Sequence, residues 1–108
     1  MNAELLLRRL GMSGRLHGFY YAAYMIERVV ADPTEVVFVT KILYPATARH
    51  FRVSMYSVER NLRTVIHICW NRGNRAFMEE MAGTALDRKP TNGTFIDMAA
   101  AYLRRQAG

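Results

Sequence analysis

Glycine and proline cut this chain into short blocks, and inside the blocks apolar residues recur every three or four positions. That period is the signature of helices with one buried face. Ala3–Leu10 predicts a short apolar helix stopped by Gly11. Beyond Gly14, Leu16–Val30 sets Phe19, Ala22, Ala23, Ile26 and Val30 on one stripe. Asp32-Pro33 ends that helix, because a residue before proline avoids helical torsion angles. The β-branched run Glu35–Val39 would suit a strand on propensity alone. Nothing later in the chain offers it a strand partner, so it is read as a buried helix continuing to Leu43. Pro45–Phe51 is a further short helix, with the proline in a first turn that has no use for its missing N–H. Ser54 caps a helix running to Trp70, which Arg72-Gly73-Asn74 closes. Ala76–Ala82 stops at Gly83. After Lys89-Pro90, Thr91-Asn92 caps a last helix from about Thr94 to Arg105, with Arg104 and Arg105 near its negative end. The expected fold class is all-α.

A length of 108 residues fits one domain spanning 1–108 with a real core. Hydrophobic residues at 51% and charged residues at 22% exclude a disordered tail. Lys and Arg together number 15 against 9 Asp and Glu, a net charge of +6. Such a surplus favours a polyanionic partner, since each neutralised phosphate releases condensed counterions. A basic surface kept for solubility is the plainer alternative. All the cations but Lys41 and Lys89 are arginine, which suits bidentate contacts to phosphates and bases. The single cysteine, Cys69, rules out an internal disulfide and points to a reducing, cytoplasmic setting. No apolar run is long enough to span a bilayer, and Glu4, Arg8 and Arg9 interrupt the apolar start, so neither membrane insertion nor a secretory signal is expected.

The segment from Ala46 to Arg60 carries a helix-turn-helix pattern. That motif needs a small residue where its helices cross, a hydrophobic residue at the turn and a hydrophobic anchor early in the second helix. Ala48, Val53 and Val58 stand at those spacings. The position after Phe51, often glycine in such turns, is Arg52. On the second helix, Val58, Leu62, Val65, Ile66, Cys69 and Trp70 should pack inward. Ser54, Tyr56, Ser57, Glu59, Arg60, Arg63, Thr64 and His67 are left outside as candidate DNA contacts. Arginine reads guanine edges bidentately, glutamate accepts from cytosine, and serine and threonine reach bases or phosphates. Arg49 and Arg52 flank the turn as candidate phosphate contacts. The plainer readings are a solvated face and an i,i+4 surface pair of Glu59 with Arg63.

Five blocks then carry a resemblance. They are Leu16-His-Gly-Phe-Tyr-Tyr21, Thr40-Lys-Ile-Leu-Tyr-Pro45, Ser57-Val-Glu-Arg60 with Arg63, Trp70-Asn-Arg-Gly-Asn74, and Lys89-Pro-Thr-Asn92 followed by Phe95-Ile96. In this order, across nearly the whole chain, they resemble the C-terminal effector domain of the sporulation master response regulator, the stage zero sporulation protein A family. The resemblance implies a compact bundle of six helices, double-stranded DNA as partner, and recognition of a short operator box by the motif's second helix. It also implies head-to-tail homodimers on tandem sites and a contact role for Glu59, Arg60 and Arg63. Two departures stand out. Ser57 replaces a family arginine that reads a guanine, so either a different operator or weaker binding is expected. The connection Gly83–Lys89 is shorter than in typical members, near where the family touches the RNA polymerase sigma subunit. The full family protein carries an N-terminal receiver domain that these residues lack, which leaves open an excised piece or a standalone protein.

Other chemistry finds little support. His17, His50 and His67 lack metal-ligand spacing, and no cofactor is expected. Cys69 reads as a small core residue, not a nucleophile. Tyr20, Tyr21 and Tyr24 could form a base-stacking platform but fit helix packing better. No phosphate loop, carboxylate pair or nucleophile elbow is present, and no enzyme is expected. A rival to DNA reading is a protein-interaction module that pairs with a full-length regulator. Its dimer seam would be the stripe Phe95, Ile96, Ala99, Ala100 and Leu103.

Overall fold

The computed structural model describes residues 1–108, and every regular element in it is helical. Six α-helices follow one another: α1 (Ala3–Arg9), α2 (His17–Ala31), α3 (Tyr44–Phe51), α4 (Met55–Arg72), α5 (Arg75–Ala82) and α6 (Asn92–Ala107). Their starts lie where capping chemistry puts them. The side chains of Asn2, Ser54, Asn74 and Thr91 accept backbone N–H bonds at the first turns of α1, α4, α5 and α6, satisfying donors that a helix start leaves orphaned.

The core is built around α2, which packs against α1, α4 and α6. Leu6, Leu7, Phe19, Ile26, Leu62, Ile66, Met78 and Phe95 are sealed inside it. The α2 stripe holds as expected through Ile26, but the fully buried residue at its end is Val29, and Val30 is only half-buried. Thr47 is fully buried, and its hydroxyl donates to the Leu43 carbonyl at 2.7 Å. No buried side-chain nitrogen or oxygen lacks a partner, as a well-packed interior requires.

Two glycines let backbones touch. A Cβ at Gly18 would collide with the Asn61 carbonyl and come within 2.6 Å of the Val65 side chain, so the start of α2 lies directly against the middle of α4. A Cβ at Gly73 would meet the Leu10 carbonyl and lie 2.6 Å from the Cys69 carbonyl. There the Asn74 N–H donates to the Leu10 carbonyl at 3.0 Å, tying the end of α4 to the end of α1.

Two expectations are corrected. The segment 35–43 is helical but is not a buried α-helix: a 3-10 turn covers Pro33–Phe38 and a π-helical turn Val39–Leu43. Val37 is 74% exposed and Phe38 46%. β-branched and aromatic neighbours support an α-helix poorly, and the Glu35 carboxylate is drawn to Arg28 of α2, accepting from Nε at 2.8 Å and Nη2 at 3.0 Å. The second correction concerns the supposed dimer seam. Phe95, Ile96, Ala99 and Ala100 are fully buried and Leu103 nearly so, inside the chain's own core. The stripe is apolar because α6 packs on α2, α5, α4 and α1, which leaves nothing on that face for a second chain.

Candidate nucleic-acid interface

Helices α3 and α4 pack on each other through a short turn, Arg52–Ser54. Ala48 is buried where they cross, Val58 is fully buried, and Val53 is half-buried in the turn. The turn closes because the Val53 N–H donates to the Ala48 carbonyl at 3.0 Å. To reach that geometry Arg52 takes a left-handed conformation, φ 58° and ψ 48°, and no other non-glycine residue has positive φ. The position where such turns often carry glycine is thus the one where the backbone demands it.

Behind α3, aromatic side chains of α2 hold the motif to the core. Tyr21 packs on Phe51 with ring centres 5.0 Å apart, and Tyr24 stacks on His50 at 4.4 Å. Tyr20 sits edge-on to Phe19 at 5.1 Å. Tyr21 and Tyr24 serve helix packing, whereas Tyr20 is 42% exposed. The histidines have separate partners: His17 lies near Tyr21, His50 on Tyr24, and His67 beside Asn71.

Helix α4 divides as its periodicity demands. Val58, Leu62, Val65, Ile66 and Cys69 are buried. Trp70, expected inside, is half-buried, and the Arg75 guanidinium covers its ring at 3.4 Å. Burial pushes the Cys69 thiol up to about 12, so it stays an unreactive thiol near neutrality.

The outer side is less uniform than the sequence suggests. Tyr56 is 69% exposed, and Ser54, Arg60, Arg63, Thr64 and His67 are exposed. Ser54 is occupied as the cap, accepting from the Ser57 N–H at 3.0 Å. Ser57 is half-buried, and its hydroxyl oxygen accepts from Asn61 Nδ2 at 3.2 Å. The Thr64 hydroxyl donates to the Arg60 carbonyl at 3.1 Å. Glu59 is half-buried and paired with Arg63 one turn on. Arg60 carries no ion pair, nor do Arg49 and Arg52, both exposed in and beside the turn. The Glu59–Arg63 pair is the surface interaction that spacing alone would give, and in water such pairs contribute only a few tenths of a kcal/mol. It holds Arg63 without consuming it.

Sequence reasoning missed what stands next to this face. The connection between α5 and α6 folds against α4, so Lys89 lines a shallow groove of about 340 Å³ with Arg60, Arg63, Thr64 and His67. A second groove, of about 560 Å³, is lined by Lys89, Arg63 and Glu59 together with Tyr44, Asn92 and neighbouring residues. Asn92 fastens the two elements: its Nδ2 donates to the Tyr44 hydroxyl at 3.0 Å and to the Glu59 carbonyl at 3.3 Å. Burial raises the Tyr44 hydroxyl above its ordinary range, so it remains neutral. The block Lys89-Pro-Thr-Asn92 was the available signal, but short-range pattern does not tell which helix a loop folds against.

A family model described as Sporulation initiation factor Spo0A C terminal matches residues 3–103.

Proposed function

The chain belongs to the Sporulation initiation factor Spo0A C terminal family, DNA-binding effector domains of a sporulation regulator, and from that premise we propose that residues 1–108 form one effector unit that reads the DNA major groove through α4. The observation that carries this reading is the division of α4. Its apolar side is locked in the core while Arg60 stands exposed and free of any ion pair, next to the Arg63 that Glu59 holds in place. An arginine in that setting is free to meet a guanine edge, and a glutamate beside it to accept from cytosine. Arg49 and Arg52 supply phosphate contacts at the turn, which set register without sequence information. Tyr56, Thr64 and His67 complete the face, with Ser54 and Ser57 contributing less because their oxygens are already engaged.

Pairing on tandem sites would use a surface other than the α6 stripe, whose side chains are internal. A contact to the RNA polymerase sigma subunit would involve the α5–α6 connection. The interaction-module alternative loses the surface on which it rested.

The test is a competition gel shift with duplexes selected from a random pool. Arg60→Ala is expected to lower the preference for the selected site by about 1–3 kcal/mol, while Arg49→Ala weakens selected and unrelated duplexes alike. Full preference in the Arg60→Ala protein would exclude base reading by that residue. The unaltered protein is expected to show a steep fall of log affinity with log salt.

A further inference from the structure

We propose that Lys89 is a phosphate anchor outside the helix-turn-helix, held at a fixed offset from α4 by Asn92. This rests on the reading of α4 as the duplex-facing helix. A helix with its side chains is about 10–12 Å across, and the major groove of B-DNA is about 12 Å wide. A recognition helix therefore fills the groove from wall to wall, and a group flanking it at the level of its exposed row meets a sugar–phosphate strand. Lys89 is such a group: it lines one groove with Arg60, Arg63, Thr64 and His67.

Two observations make it more than a solvated lysine. It is exposed and forms none of the molecule's ion pairs, whereas its neighbour Arg88 is engaged with Asp87. Its loop is not free: Pro90 is buried, Thr91 caps α6, and Asn92 donates to the backbone carbonyl of Glu59 on α4 itself. The hydrogen bond from Asn92 thus ties the cation's loop to the backbone of the helix whose register matters. An ammonium on a flexible stem is a point charge, suited to a phosphate and poor at telling one base from another.

The experiment uses the full chain and two fluorescein-labelled duplexes of equal length, one carrying a selected site and one unrelated, across a salt series. Lys89→Ala is expected to weaken both duplexes by a similar factor, roughly tenfold, as loss of one charged hydrogen bond does. The slope of log affinity against log salt should become shallower by about one. Lys89→Arg should restore most of the affinity and the slope. Arg88→Ala, which removes the same charge one residue away, should leave both near the unaltered values. Two results overturn the anchor: a Lys89→Ala protein with unchanged affinity and slope, or an Arg88→Ala protein that loses as much, which would reduce the effect to net charge. If the unaltered protein binds both duplexes and Arg60→Ala abolishes its preference while Lys89→Ala does nothing, only the anchor falls. If the unaltered protein binds neither duplex, the α4 reading fails and the anchor with it.

Discussion

Arg52 holds the sharpest conflict between residue type and backbone in the molecule. Its left-handed conformation costs a Cβ-bearing residue about 1–2 kcal/mol relative to ordinary torsion angles, a cost glycine escapes. Arg52→Gly is therefore expected to raise stability by about 1 kcal/mol in urea unfolding, less whatever glycine adds to unfolded-state entropy. If Arg52 touches a phosphate, the same change weakens selected and unrelated duplexes together. Stability and affinity then move in opposite directions, which is the mark of strain retained for binding. A fall in both would remove the backbone argument. The identity of this residue told in advance that the turn departs from its usual chemistry, but the helix-turn-helix spacing of Ala48, Val53 and Val58 was obeyed all the same.

At the scale of elements, amphipathic helices were the legible part. α2 and α4 lie within a residue or two of where turn residues and periodicity set them, because caps and apolar stripes are local facts. α6 shows where legibility ends. Its stripe announced a partner but not which one, and the partner is α2, about seventy residues earlier in the chain. Phe95→Ala is accordingly expected to cost about 3–5 kcal/mol in urea unfolding and to leave the sedimentation behaviour of the folded fraction unchanged. A variant of native stability with an altered oligomeric state would put Phe95 back on a surface. The segment Pro33–Leu43 was misread for a different reason. Its hydrophobic residues implied burial, yet the Arg28–Glu35 pair, between residues seven apart, holds the turn beside α2 with Val37 and Phe38 outward. The outward side of α4, the candidate contact face, was legible as a set of residue types; which of its hydroxyls are already engaged was not, since Asn61 over Ser57 and Thr64 on its own backbone are details of packing.

For the molecule as a whole, buried neutral groups give stability an alkaline limit. The Cys69 thiol is pushed up to about 12 by burial, and Tyr44 is raised by the same cause, with the Asn92 hydrogen bond opposing it. In the unfolded chain the thiol loses its proton near pH ~8.5. Above that pH the unfolded state binds fewer protons than the folded state, so stability must fall as pH rises. The thiol's share is complete below its unfolded value and is lost up to about pH 12, at about 1.4 kcal/mol per pH unit. Urea unfolding at pH values from neutral to alkaline should show this decline, and Cys69→Ala should flatten it. An equal slope in both proteins would show that the thiol is not sealed. The molecule contains no helix long and apolar enough to cross a membrane.

Gly18 and Gly73 grip α4 near its middle and at its end, each by backbone pressed on a neighbouring element. On the reading of α4 as the duplex-facing helix, it therefore has no room to roll or slide toward a different run of base pairs. Divergence of this scaffold toward a new operator is confined to exchanging side chains on a stationary ruler. A bulkier residue at either glycine would shift every mark on that ruler at once.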